Sequence, residues 1–449
     1  MKLLLALLFF INISLADTLD KALQAYDNGE FKKALKLLKP LAKDGDKIAQ
    51  YKLAVIYHSG LDVKANTKES LKWYKLSAKQ GYMDAQFNLA VKYEKAQGVK
   101  QNSKEAIKWY KAAANQGDKE AMYNIANIYY KGIGIKKNTK EAIKWYSSSA
   151  KQGFAKAQVK MGDLYIEKNP KKAIKWYKKA AEQKDAIAQL RLAEIYKINK
   201  KYKKALEYYK KSAKQDNADA KFGIGNIYAK GLGVKKDAKK ALKWYKKATK
   251  QNHGPSLFQT GLLYEKKKDF EKAIKWYKKA DKQKYAKASY KIAQMYDKGD
   301  GIKRDSKEAL KWYEKSADQG YAKAQYTLAI MYERGTGVKK NHKEAVKWYI
   351  TSAKQGYAKA QFNVAVMYKK GRGVKKSLKT ALKWYEKAAT GGHAGAQFIL
   401  GETYYLGRGV KKDIEKAQKL LQNSTSQGNT KALRRLNMLC KEHPWACSK

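Results

Sequence analysis

Proline, arginine and cysteine are scarce in this 449-residue chain. The four prolines leave long stretches free to run as helices, because proline breaks a helix interior. Only seven of the 98 basic residues are arginine, and acidic residues are also few, at 40, so the net charge is +58. This imbalance predicts attraction to polyanions or acidic proteins but singles out no partner.

Cysteine and histidine are too few and too scattered to suggest metal chemistry. The five histidines show no i, i+4 pair, so the sequence predicts no metal site and no cofactor. Cys440 and Cys447 lie seven residues apart near the end of the chain. In an exported protein this pair predicts a disulfide that closes a small loop, with two free thiols as the alternative.

One long apolar run stands at the start, where residues 1–16 read MKLLLALLFFINISLA. A basic residue, an apolar stretch and a small-x-small end are typical of a secretory signal peptide. Cleavage would place the protein in the periplasm or the medium, and an uncleaved anchor is the alternative. No second apolar run of membrane length follows.

An internal repeat dominates the rest of the chain. The triplet Lys-Trp-Tyr occurs nine times, and most tryptophans are 36 residues apart, with some intervals of 31 or 32. The one wide gap, between Trp176 and Trp244, holds Tyr208 and Tyr209 in the same context. We count twelve units across 17–428, followed by a capping helix and a disulfide loop in 429–449.

Each unit has the pattern of two helices. The first reads Ala-Gln-Tyr/Phe-x-Leu-Ala/Gly-x-x-Tyr, as in Ala324–Tyr332, and often ends at a Gly-x-Gly turn. An Asn or Asp with Glu three residues later, such as Asn138 and Glu141, resembles a capping box for the second helix. Helix pairs of this size bury their apolar faces only by stacking. The fold class is therefore all-α, an α/α solenoid.

These motifs resemble the Sel1-like repeats, relatives of tetratricopeptide repeats, over nearly all of 18–428. The resemblance implies a right-handed superhelix that binds proteins, with the first helices along a concave groove. Some secreted, cysteine-rich members are catalogued as penicillin-binding proteins or β-lactamases. The repeats here contain no cysteine, which separates the chain from those members.

A β-lactamase is the enzyme alternative, and only one sequence element fits it. Ser148-Ser149-Ala150-Lys151 matches Ser-x-x-Lys, but the supporting Ser-Asp-Asn and Lys-Thr-Gly motifs are absent. Ser148 also occupies an ordinary repeat position. The sequence therefore predicts no catalytic residue.

The Lys-Trp-Tyr triplet reads as structural. On a helical wheel Tyr313 shares the buried face with Ala309, and Trp312 lies at its border. Lys311 and Lys315 point to the opposite side, so we expect lysines and rings not to converge as a nucleic-acid site requires. We therefore predict no specific nucleic-acid binding.

Two positions on each first helix vary freely, five and two residues before its last Tyr. We call these positions the first-helix stripe. They lie opposite the Ala/Leu/Tyr face, which suits them to grip an extended peptide or a protein edge. The polar members that we predict to bind a partner are Lys52, Asn88, Asn124, Asn127, Lys160, Arg191, Asn226, Gln259, Lys291, Gln294 and Asn363. The remaining members are Val55, Val91, Asp163, Glu194, Gly223, Leu262, Thr327, Ile330, Val366, Ile399 and Glu402. A neutral solvated face is the alternative.

The sequence thus predicts an exported scaffold that binds a protein or peptide in its groove, and the net positive charge favours an acidic partner. Binding to an anionic envelope polymer is a second alternative, favoured by the charge alone.

Overall fold

The computed structural model describes residues 17–447, so the predicted signal peptide at 1–16 lies outside the described part. Within it the chain forms 25 α-helices and no strand. The helices divide into two compact units, one ending at Gln215 and the other beginning at Asp216. No helix of the described part is long and apolar enough to cross a membrane.

The first unit contains twelve helices that pair in chain order, first helix with second helix. Residues 17–27 form the described part of α1. The others are α2 (Phe31–Lys43), α3 (Lys47–Ser59), α4 (Thr67–Lys79), α5 (Met83–Lys95), α6 (Ser103–Asn115), α7 (Lys119–Lys131), α8 (Thr139–Lys151), α9 (Ala155–Tyr165), α10 (Pro170–Glu182), α11 (Ala186–Ile198) and α12 (Tyr202–Lys214).

The second unit has six more pairs and a terminal helix. They are α13 (Ala218–Lys230), α14 (Ala238–Thr249), α15 (Gly254–Lys266), α16 (Phe270–Lys282), α17 (Ala286–Lys298), α18 (Ser306–Asp318), α19 (Ala322–Arg334), α20 (His342–Lys354), α21 (Ala358–Lys370), α22 (Leu378–Thr390), α23 (Ala394–Leu406), α24 (Ile414–Thr425) and α25 (Thr430–Glu442). A short 3₁₀ turn, Pro444–Ala446, follows. The predicted all-α class and the helix-pair repeats are confirmed.

The helix boundaries follow the predicted capping signals. Asn138 Oδ1 accepts a hydrogen bond from the backbone N–H of Glu141 at 3.1 Å and so satisfies a free donor at the start of α8. At the other end, Gly335 ends α19 with a φ of 80°, a left-handed conformation that glycine adopts without a steric penalty.

The triplet tyrosine, or Tyr209 in the repeat with Tyr208-Tyr209 in place of Trp-Tyr, forms the centre of ten of the twelve repeats. These rings are at most 3% exposed at Tyr74, Tyr110, Tyr146, Tyr177, Tyr209, Tyr245, Tyr277, Tyr313, Tyr349 and Tyr385. Each packs on the Ala/Gly position of the first helix. At Gly261 an added Cβ would lie 2.6 Å from the Cε1 of Tyr277, so no side chain fits there without a shift. The small residue in the motif therefore makes room for the ring.

Glutamine side chains connect successive repeats. The amide nitrogen of Gln325 donates to the carbonyl of Ala317 in the preceding repeat at 3.0 Å. The amide oxygen of Gln325 accepts from Nε2 of Gln355 at 2.7 Å. Equivalent pairs join Gln50 to Gln80, Gln86 to Gln116, Gln158 to Gln183, Gln189 to Gln215, and Gln397 to Gln427. This ladder fixes each second helix on its partner.

Candidate functional site

The predicted partner-binding residues all occupy first helices, as the repeat pattern requires. In the first unit they lie on α3, α5, α7, α9 and α11, and in the second unit on α13, α15, α17 and α21. Every one of the eleven is half-buried, neither in the core nor fully in solvent. The first-helix stripe is therefore a surface whose side chains also contact their own fold.

Buried phenols make several of those contacts. In six repeats the hydroxyl of the triplet tyrosine donates to a polar side chain of the first helix. The pairs are Tyr110 with Glu94 (2.7 Å), Tyr146 with Asn127 (2.7 Å), Tyr177 with Asp163 (2.8 Å), Tyr245 with Asn226 (2.8 Å), Tyr277 with Glu265, and Tyr349 with Glu333 (2.7 Å). A buried hydroxyl without such an acceptor is costly, which explains the recurrence.

The acceptor comes from one of two positions on the first helix. Asn127, Asp163 and Asn226 stand two residues before the last Tyr, on the stripe, whereas Glu94, Glu265 and Glu333 stand one residue after it. The positions are three residues apart and share a helix face. In the three repeats whose acid follows the Tyr, the stripe position is apolar (Val91, Leu262, Ile330). The stripe residues Asn127, Asp163 and Asn226 therefore also support the core of their own repeats.

Burial keeps these phenols protonated. It raises the pKa of Tyr385 to about 12 and raises the pKa of Tyr146 still further. Burial, then the hydrogen bond to Glu333, likewise raises the pKa of Tyr349. The neutral phenols act as fixed hydrogen-bond donors, and none is prepared to act as a base.

Ion pairs and a cation–π contact engage much of the stripe in the first unit. Lys52 Nζ lies 4.1 Å from the ring centroid of Tyr26. Arg191 reaches Glu194 at 3.2 Å and Asp163 at 3.5 Å. Asn88 donates only a long bond, 3.4 Å, to the hydroxyl of Tyr51. Most charged stripe residues of the first unit are therefore paired within the protein.

From α17 onward the stripe of the second unit combines polar residues that bond within the fold with half-buried apolar residues. Lys291 pairs with Glu265 at 2.8 Å, and Thr327 lies 3.4 Å from the hydroxyl of Tyr290. Half-buried polar and apolar side chains alternate beyond that point: Gln294, Thr327, Ile330, Asn363, Val366 and Ile399. An apolar strip with hydrogen-bonding neighbours is typical of protein interfaces.

The second helices carry a feature that the sequence reasoning missed. The lysine three residues after the tryptophan lies over the indole ring, at 4.4 Å for Lys247 on Trp244 and 5.0 Å for Lys315 on Trp312. Other such pairs are Lys179 on Trp176, Lys279 on Trp276 and Lys387 on Trp384. Our expectation that lysines and rings do not converge was wrong, because the long lysine stem reaches back along the helix.

The only catalytic candidate sits in an ordinary surface position. Ser148 and Lys151 are exposed on α8. The neighbouring Ser149 is buried and donates to the carbonyl of Lys119 at 2.6 Å. Ser149 therefore has a structural role in the repeat, and Ser148 takes no part in that hydrogen bond.

The two cysteines are close in space. Their Cα atoms are 5.6 Å apart, a separation that a disulfide spans. Cys440 lies on α25 and Cys447 follows the 3₁₀ turn, and both are half-buried and contact the apolar cluster at the end of the second unit. The arrangement fits a terminal clamp on the last helix.

Comparison with known protein families identifies the repeats of this architecture. The Sel1 repeat model matches eleven segments, which are 47–82, 84–118, 119–154, 155–185, 186–217, 218–253, 254–283, 286–321, 322–357, 358–393 and 394–429. The α1/α2 pair precedes the first match and α25 follows the last. No curated protein matches the chain.

Two solved structures are similar in sequence. One is a protective antigen present in uropathogenic Escherichia coli strains, displaying an SLR fold, with 32% identity over 91% of this chain and 90% of that chain, at a TM-score of 0.59. The other is a Sel1 repeat protein from Oxalobacter formigenes, 36% identical over 53% of this chain and 99% of that chain, at a TM-score of 0.48. The chain therefore belongs to the Sel1 repeat family.

Proposed function

We propose that the protein is exported and binds a protein partner through the first-helix stripe of its second unit. Repeats of this family generally serve as protein-interaction scaffolds. Export rests on the signal-peptide pattern of 1–16. The 32% identical relative described as a protective antigen fits a protein that leaves the cytoplasm.

The observation that carries the proposal is the surface from α17 to α23. There Ile330, Val366 and Ile399 are half-buried, and they alternate with the half-buried polar side chains of Gln294, Thr327 and Asn363. Apolar area that is only partly covered favours association, while half-exposed amide and hydroxyl groups can supply directional bonds. The positive field would speed the approach of an acidic partner.

A capture experiment tests the proposal. The purified protein is immobilised and exposed to envelope extract, and the recovered partner is then bound to two triple variants. Gln294→Ala, Thr327→Ala and Asn363→Ala together should abolish capture with helicity intact. Lys311→Ala, Lys347→Ala and Lys383→Ala, which remove three charges from second helices, should leave it. If the stripe variant captures as well as the wild type, the proposal fails.

Binding to an anionic envelope polymer is the second candidate, favoured by the lysine–tryptophan stacks on the second helices. It predicts binding that falls steeply with salt and with loss of the stacked lysines Lys247, Lys315 and Lys387, and that survives the stripe variant. For the β-lactamase alternative, hydrolysis of a chromogenic β-lactam that Ser148→Ala abolishes would be the supporting result.

A further inference from the structure

A cationic groove lies in the second unit, between two successive repeats. Its volume is about 410 Å³, and it is lined by Glu333, Arg334, Lys340, His342 and Arg372. Glu333 and Arg334 end α19, Lys340 belongs to the following turn, and His342 begins α20. Arg372 arrives from the turn that follows α21, one repeat later.

Glycine brings Arg372 to this place. Gly373 has a φ of 71°, and a Cβ there would collide with the carbonyl of His342. The turn therefore rests directly on the first residue of α20, and only glycine permits that approach. Arg372, one residue earlier, is held beside the groove by this contact.

The charges in the groove are unbalanced. Within residues 17–447, no carboxylate pairs with Arg334, Lys340 or Arg372 within 4.0 Å. Glu333 is the single acid in the groove, and one of its oxygens accepts a hydrogen bond from the hydroxyl of Tyr349 at 2.7 Å. Three cations facing one partly engaged carboxylate leave a net positive site.

Arginine use sets this groove apart from its counterparts. The chain has only seven arginines, and two of them line this groove. At the corresponding positions of the next repeat stand Lys370, Lys376, Leu378 and Arg408. A guanidinium group offers a planar fork of donors that binds oxyanions in pairs of hydrogen bonds, which lysine does not.

His342 adds a hydrogen-bonding group that has no partner among the described residues. Its Nδ1 is buried and has no hydrogen-bond partner within the described part of the chain. A buried polar atom of this kind calls for an explanation, and an absent ligand or ion is one. The imidazole is thus a fourth polar group that the repeat leaves unused.

We propose that this groove binds a compact tetrahedral oxyanion of the phosphate class. Two guanidinium groups and one ammonium group offer more donors than the Glu333 carboxylate can accept at once, and His342 lines the same groove. The side chains, and not the glycine backbone, form the site. It is separate from the first-helix stripe, so it stands or falls independently of the protein-binding proposal.

Titration with inorganic phosphate at constant ionic strength, balanced with chloride, tests the site. Phosphorus NMR line width and the thermal midpoint both report saturation. Arg334→Gln with Arg372→Gln should weaken phosphate binding by at least about tenfold, because charge-assisted bonds are lost. Arg334→Lys with Arg372→Lys keeps the charge but should also weaken binding.

The matched control removes the same charge elsewhere in the same unit. Arg304→Gln with Arg408→Gln should bind phosphate like the wild type. The inference is overturned if phosphate does not saturate the wild type. It is equally overturned if both glutamine pairs lose affinity alike, because general electrostatics then explains the binding.

Discussion

The hydroxyl of Tyr146 donates to Oδ1 of Asn127 at 2.7 Å, from the second helix of a repeat to its first. Tyr146 is 1% exposed, so its hydroxyl cannot rely on solvent water as a hydrogen-bond acceptor. A residue that varies freely between repeats therefore supports the core of its own repeat. The variable stripe thus combines positions that stabilise the fold with positions that remain available to a partner.

Removing the acceptor should destabilise that repeat. We expect Asn127→Ala to cost about 1–3 kcal/mol, because it leaves a buried hydroxyl unpaired. Urea unfolding followed by circular dichroism measures the cost. In a Tyr146→Phe background the same substitution should cost much less. Equal costs in both backgrounds would show that the hydrogen bond contributes nothing.

At one of the repeats without a glutamine pair, only the second-helix glutamine is missing, which predicts a stabilising substitution. Gly391 stands where other repeats have glutamine, and the Oε1 of Gln361 is buried without a partner in the described structure. Gly391 has a φ of −73°, so a side chain is permitted, although its Cβ would lie 3.1 Å from that of Ala358. Gln355 fits beside the equivalent Ala322 one repeat earlier.

Gly391→Gln should therefore raise stability by about 0.5–1.5 kcal/mol. Gly391→Ala is the control, since it has the same effect on the unfolded chain without the amide. Thermal midpoints of the two variants decide the matter. If glutamine gives no more stability than alanine, the missing rung has no energetic meaning.

Alkaline pH should unfold the protein through its buried phenols. Burial raises the pKa of Tyr385 to about 12, against about 10 for an unfolded tyrosine. The folded state thus holds the proton more tightly. Its stabilising contribution is fully present below pH ~10 and is lost as the pH rises through about 12.

Urea midpoints between pH ~8 and ~11.5 measure this loss. Lysines also titrate there, so Tyr385→Phe serves as the control that shares every lysine. The wild type should lose stability more steeply than the variant above pH ~10. Parallel curves would mean that Tyr385 ionises equally in both states.

The cysteine pair predicts an oxidised clamp at the end of the chain. Protein isolated from the envelope and denatured without reductant should show no reactive thiol. Reduction should loosen α25 at a local cost of about 2 kcal/mol, the value for a loop of this length. Two reactive thiols before reduction would instead support the free-thiol alternative.

Much of the fold was predictable because its signals are local and repeated. The Asn138 cap, the glycine at 335 and the 36-residue spacing each dictate short-range geometry that neighbouring repeats confirm. The contacts across repeats were harder to foresee. Nothing in the triplet shows that Lys315 reaches back over Trp312.

The cationic groove was out of reach for the same reason. Arg334 and Arg372 are 38 positions apart in sequence and line one groove only because the Gly373 turn rests on α20. The rarity of arginine was the one available signal. The sequence shows that some repeats have a polar residue at the position of Asn127 and others an acid at the position of Glu94. Only the packed helices show that both positions accept a hydrogen bond from the triplet tyrosine.

Site-specific photo-crosslinking tests the central proposal most directly. A photoreactive residue replaces Ile330 on the first-helix stripe or, as the control, Lys347 on the exposed face of α20. In intact cell envelopes, position 330 should give a discrete protein adduct, and position 347 should not. An adduct from position 347 alone, or none from position 330, would contradict partner binding by the stripe.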